Sequence, residues 1–401
     1  MSEFAAGPAG RIERVRALMV ERGYDAIVVR DEANLRWLTG VKGVFDYTFE
    51  FPHAAFITAD QCLFHTDSRY LNSFEENTPA SSPWVYDMDE GTIPGWVAGK
   101  IAANKCRVCA VEDDMQINFY QGIQRGLEDR SVACMLPLMH DDIRKMRAIK
   151  DAEEIELMRH AQSITDAAFQ HMLGFIKPGM TEKQVRNELE NFMFGADSLA
   201  FGSIVASGPN TANPHAVPSD RVIEKGDFVL MDYGAGYCDY RSDMTRTVVM
   251  GEPTQEQLDL YALVRRTHEE CVAAIHPGVE GNDIFKLSKK IIGDAGYGDY
   301  YNHGLGHGVG IDIHELPNFN RSKNTIEVGS VITMEPGVYL PGGLRRGHRE
   351  RLRALHQDPA RPAHHRLLAH FDRFLGRGVR STSGAPRSLF MRSLQAPSAS
   401  V

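Results

Sequence analysis

The second half of the chain holds acidic and histidine residues whose types and spacing could do chemistry. Asp232 and Asp243 lie in "DFVLMDYGAGYCDYRSDMTRTVVM" (227–250), which reads as an apolar strand, a Gly-containing turn and a returning strand. Period-2 alternation puts Asp232 on the face of Phe228 and Leu230. A carboxylate there is costly to bury unless it is paired or bound to a cation. With Asp243 on the returning strand, a hairpin brings two carboxylates together, and a divalent cation between them removes their repulsion. A plainer reading has Asp232 capping the turn and Asp243 pairing with Arg241 or Arg246.

Three histidines follow at spacings of four and seven, His303, His307 and His314, in "NHGLGHGVGIDIHELP" (302–317). Glycines at 304, 306, 308 and 310 leave little bulk around His307, so its imidazole is open to close approach. The run lacks the lysine of a phosphate-binding GxxxxGK[ST] loop and does not match the dinucleotide pattern. Glu335 in "SVITMEPG" shares a strand face with Val331 and Thr333, and His215 sits in the turn-rich loop "SGPNTANPHAVPSD". Together Asp232, Asp243, His307 and Glu335 make an oxygen-rich set with one imidazole. Such a set suits Mn²⁺, with Co²⁺, Zn²⁺ or Fe²⁺ possible. Two bridging carboxylates imply two metals sharing a water, the arrangement of metal-assisted hydrolysis.

The elements that position these residues read as α+β, in two parts. In the N-terminal part, Ile12, Val15, Leu18 and Met19 form one helical face with Gly23 as its C-cap. Strands are predicted at 25–29, 53–58, 61–66 and 107–112. A long helix starts near Asp151, with Ile155, Met158, Ile164, Ala168 and Met172 close to one face. An internal repeat comes next. "HMLGFIKPGMTEKQVRNELENF" runs from a helix end through Pro–Gly into a helix opened by the capping box Thr181-x-x-Gln184. Ninety-nine residues later "CVAAIHPGVEGNDIFKLSKKI" repeats the pattern. Two similar halves of one domain are expected from about residue 150 onward.

Composition narrows the function. At 43% apolar and 24% charged residues, the 401-residue chain matches soluble globular proteins. The opening "MSEFAAGPAGRIERVRALMVERG" lacks a signal-peptide apolar core, and no apolar run approaches ~20 residues. A soluble cytoplasmic protein is expected. Six cysteines show no disulfide framework, and the single CxxC, Cys106 to Cys109, lacks the second pair of a zinc site. The net charge of −9 divides into −18 up to residue 343 and +9 beyond. An acidic body argues against nucleic acid or anionic membrane as a partner.

With "NLRWLTG", "TDSRY", "SGPNTANPHA", "MDYG…RSDMTRT", "HGLGHGVGIDIHE" and "MEPGVYLPG" in this order, the chain up to Gly343 resembles the pita-bread metallopeptidases. Within them it is most similar to aminopeptidase P and prolidase. The resemblance implies an N-terminal α/β creatinase-like domain (1–140) and a catalytic domain of two pseudo-symmetric halves (148–343). It implies Asp232, Asp243, His307 and Glu335 as ligands of two divalent metals. His215, His303 and His314 are implied to bind substrate and transition state, with Glu335 handling the proton. A metal-bridging hydroxide would attack the carbonyl before proline, so proline-containing peptides are the expected partners, and a homodimer the expected assembly. The rivals are a creatinase-like amidinohydrolase and a catalytically dead peptide-binding relative.

One departure stands out. The family carries a fifth ligand, a Glu on the strand after the EPG motif, within GxRIED or similar. Here that place reads "GGLRRGHRERLRAL" (342–355). A permitted back-translation of 344–353, read from its second nucleotide, encodes "CGVAIENDF", with its Glu where Arg349 stands. Residues 344–401 hold twelve Arg and no Lys, Ile or Tyr, as suits GC-rich coding sequence read out of frame. This tail is read as frameshifted and the catalytic domain as truncated; the alternative is a divergent natural basic tail.

Overall fold

A computed structural model of the chain describes residues 7–44, 52–80, 82–88, 91–320 and 324–341. The Arg-rich tail, Arg349 included, lies outside the described residues. Helix α1 (Gly7–Arg22) buries Ile12, Val15, Leu18 and Met19, the stripe its spacing predicts. Gly23 ends the helix with φ 71°, a conformation glycine adopts without steric cost. The next strand, β1 (Ala26–Val29), is buried along its whole length. It is followed by α2 (Glu32–Thr39), β2 (Ala54–Thr58), β3 (Cys62–His65), α3 (Leu71–Asn77) and β4 (Val85–Asp87). Then come α4 (Ile93–Ala103), β5 (Cys109–Val111) and α5 (Ile117–Asp129). They build one mixed sheet of order β4-β3-β2-β1-β5. All four predicted strands are present. The edge strand β4 was not predicted, because none of its three residues is buried and it leaves no hydrophobic alternation.

A short helix, α6 (Asp142–Arg147), leads to α7 (Ala152–Phe175), which opens with a capping box between Asp151 and Glu154. Met158, Ile164, Ala168 and Met172 are buried along α7, with Ile155 half-buried beside them. After it, α8 (Glu182–Phe194) opens with the predicted Thr181–Gln184 box. Strands β6 (Ser198–Leu199), β7 (Ile204–Ser207), β8 (Phe228–Tyr233), β9 (Ala235–Tyr237), β10 (Tyr240–Arg241) and β11 (Met244–Val249) complete the first half. The second half repeats the helix pair as α9 (Gln255–Ala273) and α10 (Gly281–Asp294), then adds β12 (Gly306–Gly308) and β13 (Glu315–Phe319). Gly179 and Gly278, the glycines of the two Pro–Gly turns, both take positive φ, at 96° and 84°.

The repeat extends to the strands. In the first half, β8 lies between β7 and β11. In the second, residues 305–309 run antiparallel to 331–335. Thr333 N donates to His307 O (2.8 Å), Glu335 N to Leu305 O (2.7 Å) and Val309 N to Val331 O (3.1 Å). The expected strand around Glu335 is therefore extended and bonded on one side, but forms only an isolated bridge, Gly308 to Ile332. No counterpart of β11 occurs in the second half among the described residues.

Candidate metal centre

Strand alternation places the first carboxylate as predicted. Val229, Met231 and Tyr233 of β8 are buried, while Phe228, Leu230 and Asp232 take the other face. Asp232 stands opposite Thr245 of β11 in register, and the Thr245 side chain hydrogen-bonds its carboxyl. Asp243 is not on the returning strand itself. It sits one residue before β11, because the short β9–β10 hairpin intervenes. The pairing of Asp243 with Arg241 or Arg246 is not seen. Arg241 Nε donates to Ile311 O (2.6 Å), and Arg246 Nη1 to Thr245 O (2.9 Å).

The β12 strand brings His307 to Asp243 and Glu335. Its Nε2 lies 3.6 Å from Asp243 Oδ2 and 3.2 Å from Glu335 Oε1. One ligand atom from each of the three lies within 4.8 Å of the others. His307 Nδ1 contacts Gly308 O at 3.0 Å, so that nitrogen is an N–H donor and Nε2 is the one that faces the carboxylates. A ring nitrogen opposite two carboxylates needs a proton or a cation between them. Consistent with this, the buried Glu335 Oε1 has no hydrogen-bond donor among the described residues besides that His307 nitrogen.

The electrostatics agree. Burial, with the charge of Glu335 nearby, pushes the Asp232 carboxyl up to about 6. Burial followed by Glu335 and Asp232 raises Asp243 well above the ordinary carboxylate range. Burial also works to raise Glu335, but the adjoining His307 holds it below its usual value. Three carboxylates thus share one imidazole, a deficit of positive charge that a divalent cation fits.

The remaining histidines surround this centre. The exposed His314 sets its ring edge-on to His307 at 4.3 Å between centroids. His303 Nδ1 contacts Gly304 O at 2.6 Å, and its buried Nε2 has no partner among the described residues. Tyr301 and Tyr339 stand edge-on to His303 at 5.2 and 5.3 Å. His215 is exposed on its loop, and its charge bears on Asp232, His303 and His314. The glycines around His307 serve a purpose other than the predicted one. A Cβ at Gly306 would strike Thr333 O, one at Gly308 would strike Leu316 O, and one at Gly310 would lie 2.6 Å from Glu315 Oε2. They allow close backbone packing and room for a buried carboxylate, not approach to the imidazole.

A cavity of about 1100 Å³ adjoins the centre, lined by Asp243, Glu335, Tyr339, the β11 residues Thr245 and Thr247, and Tyr261 of α9. Its walls are α7, α9, β11 and the segment 331–340.

Comparison with known proteins decides the family. The profile of metallopeptidase family M24 matches residues 156–380, and that of the creatinase/prolidase N-terminal domain matches residues 11–149. The chain belongs to metallopeptidase family M24. An uncharacterised peptidase of Bacillus subtilis is 36% identical over 343 residues, 84% of this chain and 93% of that one. A Xaa-Pro dipeptidase of Pyrococcus horikoshii is 41% identical over 210 residues, 51% of this chain and 60% of that one. Among solved structures, a Xaa-Pro dipeptidase from Bacillus anthracis superposes with TM-score 0.76 at 33% identity, over 84% of this chain and 92% of that one. An X-Pro aminopeptidase from Thermotoga maritima gives TM-score 0.73 at 29% identity, over 83% and 92%. The architecture is accordingly a creatinase-type N-terminal domain on a pita-bread M24 catalytic domain, and divalent metal is the cofactor of this family.

In this M24 chain, Asp243, His307 and Glu335 form the compact donor set, with Asp232 beside it. Sequence reasoning missed Thr245 and Tyr339, and the cluster of Arg147, Lys150 and Glu315 behind His314. Their signal is the register of β8 with β11 and the packing of distant segments, which no local motif encodes. No described helix is long and apolar enough to cross a membrane.

Proposed function

We propose that the chain descends from Xaa-Pro metallopeptidases and carries four of the five ligands of a two-metal site: Asp232, Asp243, His307 and Glu335. The observation that carries this is His307 Nε2 set against two carboxylates within a 4.8 Å cluster. The names of its relatives support the substrate, a peptide bond preceding proline. The oxygen-rich donors favour Mn²⁺. When bound, two such cations supply Lewis acidity and lower the pKa of a shared water. Glu335 would take and return the proton of hydrolysis. His215 and His314 would each offer an N–H to the substrate carbonyl and the oxyanion that develops from it, and His303, whose Nδ1 is held by Gly304 O, would bind substrate through Nε2. The Xaa-Pro bond has no N–H, so the site needs no acceptor for one.

The domain division proposed is 1–140 for the N-terminal domain and 148–343 for the catalytic one, with a frameshifted tail from 344. The cavity beside β11 supports this, because it lies where the repeat calls for a third strand in the second half. As written, the chain offers Arg349 in place of a carboxylate ligand. A guanidinium about 4 Å from a cation, at an effective dielectric near 20, costs about 4 kcal/mol per unit of charge on that cation. The 401-residue form therefore binds at most one cation weakly and is nearly inactive. A natural basic tail is the second reading, favoured by the M24 match running on to residue 380.

Sequencing the codons around 343 and assaying both reading frames tests the proposal. The adjacent frame is expected to encode Glu at 349, to bind two metals and to cleave Ala-Pro. Full activity of the chain as written, or no such Glu, overturns the frameshift. Turnover of creatine without Xaa-Pro cleavage supports the amidinohydrolase. Peptide binding without turnover in both forms supports the dead relative.

A further inference from the structure

A buried charge cluster links the N-terminal half to the turn that carries His314. Arg147, at the end of α6, has a side chain only 2% exposed. Its Nη2 reaches Asp312 Oδ2 at 2.8 Å and also bonds Glu315 Oε1. Its Nη1 donates to Asn34 Oδ1 at 2.8 Å, and Asn34 Nδ2 donates to Glu112 Oε1 at 2.7 Å. Lys150, with a side chain 1% exposed, donates to Glu315 Oε2 at 2.8 Å. Asp312 N completes the Glu315 shell at 3.0 Å. Both oxygens of Glu315 are thus held by groups from 147–150 and from its own turn.

His314 lies between the two anchored residues, Asp312 and Glu315. On the other side, Gly308 of β12 pairs with Glu315 of β13, one residue from His307. A residue flanked by anchors on both sides has little backbone freedom left to lose. From this arrangement we infer that Arg147 and Lys150 are positioning residues for His314. Through Glu315 and Asp312 they hold the 312–315 turn so that the His314 imidazole stays edge-on to His307 at the mouth of the metal centre. The functional weight of this rests on the role of His314 proposed above, while the positioning itself is observable without turnover.

The test uses the full chain with ¹³C-labelled histidine at fixed pH, the His314 signal being assigned with His314→Gln. Lys150→Met removes one arm and leaves Arg147 on Glu315, whereas Glu315→Gln removes the charge both arms hold. The His314 ring signal is expected to shift and broaden in both, because the ring current it feels from His307 changes as the turn moves. The exposed His276 on the distant Pro–Gly turn is expected to stay put, and Lys150→Arg to restore the His314 signal. Should Glu315→Gln fail to fold, Lys150→Met and its Arg rescue still decide. An unchanged His314 signal in Lys150→Met, or equal movement of His276, overturns the positioning role. In a form with Glu at 349, misplacement of His314 is expected to lower kcat about 10²-fold. A moved signal with unchanged turnover would instead overturn the catalytic role of His314 and leave the positioning intact.

Discussion

Two acidic clusters meet the β12–β13 pair, one at His307 and one at Glu315, and the chain treats them in opposite ways. Glu315 on β13 has Arg147 and Lys150 against it, both nearly fully buried. Despite burial, which works to raise it, their charges hold its carboxyl down at about 2. Asp232, Asp243 and Glu335 share one imidazole, and burial raises both aspartates. The first cluster is closed and carries its own counter-charge. The second leaves negative charge unmatched where a cavity opens onto it. Unmatched buried charge marks the place that binds something, and matched charge marks the place that holds the chain together.

The sharpest way to break this contrast is to remove an acid from the open cluster. In a form with Glu at 349, Asp243→Ala or Asp232→Ala is expected to abolish tight metal binding while leaving the circular dichroism spectrum unchanged. Two ions retained at equilibrium dialysis would sink the ligand assignment. Removing the acid of the closed cluster has another result. Glu315→Gln leaves two buried cations short of a partner and is expected to cost about 3–5 kcal/mol in urea unfolding at pH 7. A loss below 1 kcal/mol would show that the cluster is not closed in solution.

Around the open cluster, the histidines are expected to matter for rate alone. In a metal-loaded active form, His215→Ala or His314→Ala should slow Xaa-Pro hydrolysis by about 10²–10³ with metal content unchanged. Unaltered turnover would return both to ordinary loop residues.

The smallest effect is a pair of opposite pH slopes. Glu315 has a folded value of about 2 against an ordinary 4.5. Its contribution is present above about 4.5 and lost as pH falls toward 2, worth about 3 kcal/mol. Asp232 has a folded value of about 6 against an ordinary 3.8. Its protonated form stabilises the cation-free fold below about 3.8, and that contribution, about 2–3 kcal/mol, is lost as pH rises through 6. Asp232→Asn should flatten the slope between 4 and 6, and saturating Mn²⁺ should reverse it. Stability measured by urea unfolding across this range that is equal for the wild-type chain and Asp232→Asn would remove the argument.

Much of this was legible in the sequence, for identifiable reasons. Local signals are carried by neighbours in the chain: the α1 stripe, the Gly23 cap, the Thr181–Gln184 box and the alternation that turns Asp232 away from Val229 and Met231. The doubled Pro–Gly turns likewise showed the two halves, because a repeat is a property of order alone.

What the tertiary structure decided depends on contacts between distant segments. That Asp243 stands just ahead of β11, that Arg241 is spent on Ile311 and that Asp243, His307 and Glu335 converge follow from how β8, β12 and the 331–335 segment pack. The glycines of "GLGHGVG" were misread for the same reason, since their neighbours, Thr333, Leu316 and Glu315, come from other strands. The sequence names every acid in the chain but not its counter-charge. Which carboxylate meets an arginine and which meets only another carboxylate is set by three-dimensional distance, through which both Coulomb energy and desolvation act.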